Sequence, residues 1–374
     1  MITTRKKKIG VLTGGGDCAG LNSAIKWVVK TALDKRLEKE RGLQYEVLGI
    51  KEGWKGLAFS GDSKKELEDS VWPLNEETVR TWDRYGGTNL GTSRFNPYNR
   101  KNDTSQTVLK NLETLGLDAL IAIGGDDTLS VAARLAEEGV KIVGIPKTID
   151  KDLPETDYSL GFETAVEIIT HMVDNLRTTA GSHRRIFVVE TMGRDAGWLA
   201  LKGGESSGAY LILIPEYDFS LDRVNELIRE GIQAGTRYEI VLVAEGAKPA
   251  GGATIVKDAK IDSFGHETLG GIGEYLATSI NQGTGIETRC VVLSHIQRGG
   301  SPVAYDRRMG RYFGIAAVNL VERQEFGRMV SYKNGLITSV PITSVIGHLN
   351  LVDVKTMYDT ERYNGARTTL GQCE

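Results

Sequence analysis

Short apolar runs alternate with amphipathic stretches along most of the chain, and this alternation constrains the fold more than any other feature. Each run is about the length of a strand, and each stretch between runs can form a covering helix. The predicted strands are Lys8–Thr13, Tyr45–Ile50, Ala119–Gly124, Lys141–Pro146, Arg185–Glu190, Ala209–Pro215, Glu239–Gly246 and Arg289–His295. The predicted helices are Asn22–Leu37, Thr128–Glu138, Thr164–Ala180, Leu221–Ala234 and Gly270–Gln282. The pattern predicts an α/β fold with mainly parallel sheets covered by helices.

Length and composition narrow the class of protein. A chain of 374 residues, with 40% hydrophobic and 25% charged residues, is typical of a globular protein of about two domains. The net charge of −3 argues against a nucleic-acid partner, and no apolar segment approaches the roughly 18 residues of a membrane span or resembles a signal peptide. The widely spaced Cys18, Cys290 and Cys373 fit neither a zinc site nor a disulfide framework. We therefore expect a cytoplasmic enzyme.

The chain contains no repeat, low-complexity block or long linker. The second domain is therefore expected to be woven into the first rather than strung after it. We predict one lobe over residues 1–150, to which the chain crosses back near 300–330, and a second lobe over 151–310. Residues 330–374 carry short apolar alternations without site-like residues, which predicts a C-terminal extension that docks or caps.

Acidic residues directly follow two of the predicted strands. Gly124–Thr128 reads GGDDT, and Pro146–Asp152 reads PKTIDKD. Open α/β sheets bind ligands at the carboxyl ends of their strands, and carboxylates on glycine beside a lysine suit a metal–phosphate ligand. The alternative is a pair of ordinary turns with helix-capping aspartates. The density of charge favours the ligand site.

A glycine-rich loop, Thr13–Gly20, follows the first strand and precedes a helix. Glycines let backbone N–H groups approach an anion closely, and a helix N-terminus favours negative charge. The loop is not a Walker A motif, because Leu21 and Asn22 stand where lysine and serine or threonine belong. It also lacks the acidic partner of a dinucleotide site at the end of the second strand. We expect a phosphate loop of another kind, with a simple tight turn as the alternative.

Arginines accompany several of these loops. Arg94 ends the glycine-rich run that begins at Gly86, and arginine binds phosphoryl oxygens well, although a solvated surface arginine is equally consistent with the pattern. Arg185 and Arg194 flank one predicted strand, whose ends lie roughly 20 Å apart at about 3.3 Å per residue. The two therefore serve either separate sites or one site completed by a neighbouring subunit.

The run Glu287–Gly300 adds Arg289, His295 and Arg298. A lone histidine is usually a core residue, but its neighbour Arg298 favours a loop that binds phosphate.

In the order of these loops, the chain resembles the 6-phosphofructokinases from Ile9 to about Asp306. The motifs that carry the resemblance are GGxDxxGLN, GGTxLGxxRF, GGDDT, PKTIDxD, SHRR, MGR, AEG, ETR and HIQRGGSP. The resemblance implies two interwoven Rossmann-like lobes, Mg²⁺ as cofactor and fructose 6-phosphate as substrate. It also implies phosphoryl transfer to the sugar's 1-hydroxyl in glycolysis, which gives fructose 1,6-bisphosphate.

The resemblance also implies roles for single residues. The donor phosphates would lie on the loop of Gly15 with Arg94 beside them, and Asp126 would organise Mg²⁺. Thr148 would contact the sugar, and Asp150 would contact it and take the proton of the 1-hydroxyl as the base.

Further residues are assigned to the sugar phosphate and the transferred group. Arg194, with Arg94, would steady the transferring phosphoryl group. The sugar and its 6-phosphate would be held by Met192, Gly193, Glu245, His295 and Arg298, with Arg185 and Arg289 reaching in from the adjacent subunit. The active sites of a homodimer or homotetramer would then be shared.

Two positions indicate the phosphoryl donor. Members of the family that use ATP have glycine where this chain has Asp127, and usually glycine where it has Lys147. The Asp127 carboxylate would lie where the α-phosphate of ATP belongs, whereas Lys147 can pair with the terminal charge of pyrophosphate. The combination resembles the pyrophosphate-dependent members, in which transfer is reversible and yields free phosphate. An ATP-dependent or mixed-donor enzyme is the alternative, because some ATP users also carry the lysine.

Three departures from the family stand out. Lys151 replaces the usual asparagine between Asp150 and Asp152, and the effector-binding glutamate of regulated bacterial enzymes is replaced near Ala209. Their helix-one arginines are lysines here, which makes allosteric control doubtful. Two other classes fit less well: the NAD and lipid kinases lack the later motifs, and a decayed sugar-phosphate sensor would not keep the catalytic side chains together.

Overall fold

A computed structural model describes residues 5–58, 64–252, 256–261 and 267–367. Cys373 and the end of the predicted C-terminal extension lie outside this range. No helix in these ranges is long and apolar enough to cross a membrane.

Strands and helices alternate along the described chain. The strands are β1 (Arg5–Thr13), β2 (Leu43–Ile50), β3 (Val71–Leu74), β4 (Ala119–Gly124), β5 (Ile142–Pro146), β6 (Ile186–Thr191), β7 (Leu211–Leu213), β8 (Glu239–Ala244), β9 (Val256–Ile261), β10 (Glu267–Leu269), β11 (Thr288–Val292), β12 (Arg328–Lys333), β13 (Leu336–Pro341), β14 (Tyr358–Asp359) and β15 (Asn364–Gly365). The helices are α1 (Leu21–Ala32), α2 (Lys35–Arg41), α3 (Trp54–Ala58), α4 (Lys64–Asp69), α5 (Glu76–Val79), α6 (Ser105–Leu115), α7 (Asp126–Glu137), α8 (Phe162–His183), α9 (Trp198–Ser207), α10 (Leu221–Gln233), α11 (Ile272–Thr284), α12 (Ala304–Glu322) and α13 (Val354–Met357).

Two compact units divide the chain, and each is built from separate segments. Unit 1 comprises Met1–Thr148, Leu153–Thr164 and Arg298–His348. Unit 2 comprises Ile149–Asp152, Ala165–Gln297 and Leu349–Glu374. The PKTIDKD motif therefore passes from one unit to the other between Thr148 and Ile149.

The sheet of unit 1 has the order β13–β12–β5–β4–β1–β2–β3 in the described chain. Its five inner strands run parallel, and β3 and β13 are antiparallel strands at the two edges. Strands β4 and β5 are buried along their whole length, as helices on both faces of a parallel sheet require. The predicted α/β fold class with mainly parallel sheets is confirmed.

Unit 2 is built on a four-stranded sheet of order β11–β6–β8–β7, in which every described pairing is parallel. Strand β11 lies at one edge and is only partly covered, since Val292 at its end is exposed. The carboxyl ends of β6 and β8 lie side by side, so the loops that follow them are neighbours.

Several predicted boundaries differ from the structure. The helix expected over Asn22–Leu37 is two helices, because the Asp34 side chain accepts hydrogen bonds from the amides of Arg36 and Leu37 and starts α2. Residues 330–348 are not an extension, because β12 pairs with β5 and β13 pairs with β12 inside the sheet of unit 1. Residues 298–310 also belong to unit 1 rather than to the second lobe.

A buried carboxylate joins the starts of two helices in unit 1. Asp306, in the first turn of α12, is fully buried and accepts hydrogen bonds from the Tyr158 hydroxyl at 2.6 Å and the Gly161 amide at 2.7 Å. It also accepts from the amide and the hydroxyl of Thr164 at 2.9 and 2.6 Å. Burial raises the pKa of Asp306, and the four donors compensate the carboxylate.

Candidate active site

Three loops of unit 1 meet because their strands are neighbours. In the sheet order β5–β4–β1, all three strands are parallel, so their carboxyl ends share one edge. The Gly14 amide donates to the Ile123 carbonyl at 3.0 Å, and the Lys147 amide donates to the Gly124 carbonyl at 3.0 Å. The glycine-rich loop, the GGDDT loop and the start of the PKTIDKD loop are thereby held together.

Thr128 explains why two positions of these loops are glycine. A Cβ atom at Gly14 would lie 2.6 Å from the Thr128 hydroxyl, and one at Gly124 would lie 2.3 Å from the Thr128 Cβ. Both separations are shorter than real contacts, so any side chain would push the loops apart. The close approach leaves backbone groups at the shared edge, as a phosphate site requires.

Lys147 is a buried cation beside the glycine-rich loop. Its side chain is 3% exposed, and its Nζ atom donates to the Gly16 carbonyl at 2.5 Å. Thr148, which follows it, is also buried, and its carbonyl accepts from the Ser159 hydroxyl at 2.7 Å. The structure therefore places a positive charge at the loop predicted to bind the donor phosphates.

The segment that carries Arg94 is hydrogen-bonded to the same loop. The Gly15 amide donates to the Ser93 carbonyl at 3.1 Å, and the Thr92 hydroxyl donates to the Gly15 carbonyl at 2.7 Å. Arg94 itself is exposed. The resemblance places Arg94 beside donor phosphates on this loop, and that role stays a prediction.

Arg298 also lies at the glycine-rich loop. Its Nη1 atom donates to the Asp17 carbonyl at 3.2 Å, and a Cβ atom at Gly16 would lie 2.7 Å from Nη1. Arg298 belongs to unit 1, whereas His295 belongs to unit 2. His295 is exposed and its Nδ1 atom lies 3.0 Å from the Ser294 hydroxyl, so it is not a core histidine.

Asp126 and Asp127 form the first turn of α7, which begins after Gly125. Two carboxylates at a helix N-terminus also stabilise the helix through its dipole. The alternative of helix-capping aspartates therefore accounts for part of their presence. The described chain contains no group of three or more histidine, cysteine, aspartate and glutamate side chains able to hold a metal ion.

Carboxylates and an arginine meet within unit 2. The Glu245 carboxylate accepts a hydrogen bond from the Arg194 amide at 3.2 Å, and its own amide donates to the Thr191 carbonyl at 2.8 Å. Arg194 has a φ of 51° and Gly193 one of 141°, so the turn between them is tight. Asp150 is 7% exposed, and its negative charge acts on Glu245.

The loop before Arg194 is tied to the end of unit 2. The Met192 amide donates to the Gln297 side chain at 3.3 Å, and Gln297 donates to the Ser294 carbonyl at 3.0 Å. Gln297 is fully buried and was not singled out from the sequence. It connects Met192 to the segment that carries His295.

Glu287 joins the two arginines that the resemblance assigns to a neighbouring site. Its carboxylate lies 2.8 Å from the Arg185 Nε atom and 2.7 Å from the Arg289 Nη2 atom. Burial raises the pKa of Glu287, but the hydrogen bonds from Arg185 and Arg289 outweigh it and lower the pKa overall. Sequence reasoning missed Glu287, although an acid two residues before Arg289 signalled an ion pair.

Arg185 and Arg194 lie at opposite ends of β6, as predicted. Arg185 directly precedes Ile186, and Arg194 follows Thr191 by three positions. Lys26, one of the lysines that stand on helix one in place of arginine, is paired with Asp83, at 2.7 Å between Nζ and Oδ1.

We predict that Glu245 makes stability depend on pH. Burial, and then the charge of Asp150, raises the pKa of Glu245 from its ordinary value to about 7. The raised pKa favours the protonated form in the folded state, so its stabilising contribution is full below about pH 4.5 and is lost as pH rises through about 7. Glu245→Gln should remove this loss, which is about 1–3 kcal/mol.

The measurement is urea unfolding of the ligand-free protein at pH 5 and pH 8. The free energy of unfolding of Glu245→Gln should fall less between the two values than that of the parent chain. Glu287→Gln, which alters an exposed ion pair, serves as the control. Equal pH dependence in the parent and Glu245→Gln would contradict the assignment.

Comparison with known proteins agrees with this arrangement. The sequence profile described as Phosphofructokinase matches residues 8–321. The chain is 47% identical over 347 residues to a protein of Streptomyces coelicolor named pyrophosphate--fructose 6-phosphate 1-phosphotransferase. The matched region covers 92% of this chain and 96% of that relative. A protein of the same name from Dictyoglomus thermophilum is also 47% identical, over 93% of this chain and 96% of the relative. An ATP-dependent 6-phosphofructokinase 3 of Streptomyces coelicolor is 41% identical, over 92% of this chain and 96% of the relative.

Solved structures show the same fold. A phosphofructokinase structure from Saccharomyces cerevisiae is 30% identical, with a TM-score of 0.74. The match covers 91% of this chain and 45% of the longer yeast chain. A pyrophosphate-dependent phosphofructokinase from Marinobacter aquaeolei has a TM-score of 0.79 at 19% identity, over 96% of this chain and 89% of its own. The sequence matches and the shared fold lead to one conclusion: the chain belongs to the phosphofructokinase family.

Proposed function

We propose that this enzyme transfers a phosphoryl group from pyrophosphate to the 1-hydroxyl of fructose 6-phosphate, giving fructose 1,6-bisphosphate and phosphate in glycolysis. The observation that carries the donor assignment is the pair Asp127 and Lys147 at neighbouring strand ends of unit 1. The similar proteins named for pyrophosphate support it, with identities above that of the ATP-dependent relative. We further propose that the transfer is reversible, as the resemblance to the pyrophosphate-dependent members implies.

The donor would bind at the shared strand edge of unit 1. The glycine-rich loop that carries Gly15 would contact the phosphates, and Arg94 would add a planar cation. Lys147, whose ammonium group lies on the Gly16 carbonyl, would neutralise the terminal phosphate. The Asp127 carboxylate would oppose a third phosphate both by its volume and by its charge, which favours the smaller donor.

Mg²⁺ would be bound by Asp126 together with donor oxygens and water. The Asp126 carboxylate at the start of α7 fits this mode, since Mg²⁺ keeps several waters and often binds through one or two carboxylates. When bound, the ion neutralises charge that develops on the donor phosphates. The protein's own contribution is to hold the phosphates in place.

Asp150 of unit 2 would take the proton of the 1-hydroxyl of the sugar phosphate. Arg194 would neutralise charge on the transferred group, and Thr148 and Glu245 would bind sugar hydroxyls. Met192, Gly193, His295 and Arg298 are the further residues proposed to hold the sugar and its 6-phosphate. Most of the rate enhancement would come from positioning and charge neutralisation, because phosphoryl transfer needs little covalent work from the protein.

Arg185 and Arg289 would complete the site of an adjacent subunit in a homodimer or homotetramer. Three observations support this proposal: Arg185 and Arg194 lie at opposite ends of β6, β11 is an edge strand, and apolar residues near it are exposed. Val292 is 40% exposed and Ile296 is 58% exposed, which is typical of a contact surface. We further propose a cytoplasmic location, in keeping with the sparse and widely spaced cysteines.

We predict that Asp150→Ala lowers turnover at least about 10²-fold, because a general base typically contributes that much. The Michaelis constant for fructose 6-phosphate should change little, since the carboxylate acts mainly in transfer. Steady-state kinetics with pyrophosphate measures both. Asp118→Ala is the control, because Asp118 directly precedes β4 and so lies at the opposite end of that strand from the GGDDT loop. Turnover of Asp150→Ala within about threefold of the parent would reject the role.

We predict that Asp127→Gly raises the ratio of kcat/KM for ATP to kcat/KM for pyrophosphate. A like-charge contact at about 4 Å costs roughly 4 kcal/mol at an effective dielectric constant near 20, or close to three decades. Pyrophosphate activity should fall without vanishing, because Lys147 remains.

The matched variant Asp127→Asn separates charge from volume. It keeps the size of the side chain and removes the charge, so it should raise the ratio less than Asp127→Gly. A parent enzyme that already prefers ATP would support the ATP-dependent or mixed-donor alternative. An unchanged ratio in both variants would show that Asp127 does not select the donor.

We predict that Arg185→Ala raises the Michaelis constant for fructose 6-phosphate more than it lowers turnover. A charge-assisted bond to phosphate is worth about 1.5–3 kcal/mol. Mixed oligomers of Arg185→Ala and Asp150→Ala should regain activity, because one of the two shared sites then contains both native residues. Verified mixed oligomers with no recovery would indicate that each chain builds its own site.

A further inference from the structure

A C-terminal segment that follows the residues matched by the family profile packs on the loop of the proposed base. The profile match ends at 321, and residues 349–352, which we call the C-terminal strap, belong to unit 2. Residues 149–152 belong to the same unit. The strap and the proposed base therefore share one compact unit, although almost 200 positions separate them in sequence.

Asn350 holds the loop of the base from two directions. Its side-chain amide donates to the Lys151 carbonyl at 2.9 Å, and its backbone amide donates to the Asp152 carbonyl at 2.7 Å. Lys151 has a φ of 56°, a conformation that side chains other than glycine rarely adopt. The two hydrogen bonds fix the peptide groups that follow Lys151 and Asp152, so they stabilise this unusual turn directly after Asp150.

Trp198 supports both partners of this contact. Its indole Nε1 atom donates to the Asn350 carbonyl at 2.7 Å. The Lys151 ammonium group lies 4.5 Å from the centre of the Trp198 ring, a favourable cation–π distance. Lys151, which stands where the family usually has asparagine, thus has a structural contact within unit 2.

A second connection fixes the other end of the strap. One oxygen of the Glu216 carboxylate accepts hydrogen bonds from the Gly197 amide at 2.8 Å and from the Val352 amide at 2.9 Å. Gly197 directly precedes α9, which begins at Trp198. The strap is therefore anchored to the start of the helix that also supplies the indole donor.

We propose that the C-terminal strap positions the base loop for phosphoryl transfer, with Asn350 as a positioning residue that acts through Asp150. Small displacements of a reacting group can lower a rate by about two decades, so a loop held by two hydrogen bonds and a ring contact would matter for turnover. The inference rests on the proposed role of Asp150. It assigns a role to the C-terminal segment and to Lys151 that the motifs alone leave open.

The test is a double-mutant cycle of Asn350→Ala and Asp150→Ala, measured as kcat and KM with pyrophosphate. In the parent background, Asn350→Ala should lower kcat about tenfold and leave KM for fructose 6-phosphate within about twofold. In the Asp150→Ala background it should change the residual turnover less than twofold, because the base through which it acts is absent. Leu351→Ala, in the same strap and 45% exposed, is the control and should retain parent kinetics.

Two outcomes would overturn the proposal. Parent turnover in a folded Asn350→Ala variant would do so, and so would equal losses in both backgrounds, which indicate a general structural effect. If Asn350→Ala does not fold, Trp198→Phe takes its place in the cycle, since it removes the donor to Asn350 and keeps a ring beside Lys151.

Failure of the base assignment has a different signature. Parent turnover in Asp150→Ala alone would reject the role of Asp150 and, with it, the catalytic consequence of the strap. Hydrogen exchange of the amides of residues 149–152 in Asn350→Ala then decides whether the strap holds the loop. Faster exchange than in Leu351→Ala supports the positioning role, and equal exchange overturns it.

Discussion

The packing of Thr128 against two glycine backbones is the contact on which the donor side of the molecule depends. Parallel pairing of β1, β4 and β5 brings three loops to one edge, but only the lack of side chains at Gly14 and Gly124 lets them close around Thr128. Backbone groups and the ammonium group of Lys147 are then concentrated at that edge. A larger residue at either glycine would separate the loops and disperse the charges that a phosphate needs.

Each unit places charges of both signs at its part of the proposed chemistry. Unit 1 has the buried Lys147 beside backbone groups, and Asp126 and Asp127 at the start of α7. In unit 2, burial together with the charge of Asp150 raises the pKa of Glu245 to about 7, next to the turn that carries Arg194. Burying a carboxylate without hydrogen-bond partners costs free energy. Sugar hydroxyls and Arg194 are therefore suitable partners for Glu245.

The chain reaches its two units by repeated crossing. The PKTIDKD motif leaves unit 1 after Thr148, contributes Ile149–Asp152 to unit 2 and returns at Leu153. The C-terminal residues cross once more, and Asn350 then meets the carbonyls of Lys151 and Asp152. A short motif is thus fixed by contacts that are remote in sequence, which is how a fold can set the geometry of a single carboxylate.

The fold class, most strands and the family could be read from the sequence alone, because apolar periodicity and loop motifs are local signals. The break at Asp34 was not predicted, since a helix cap interrupts an otherwise continuous helical pattern. Residues 330–348 were predicted to be part of an extension, because the sequence of a hairpin does not indicate which sheet it joins. The pairing of Glu287 with Arg185 and the contact of Asn350 with the base loop became visible only in the folded chain. These partners come from segments far apart in sequence, and one sequence records no distance between them.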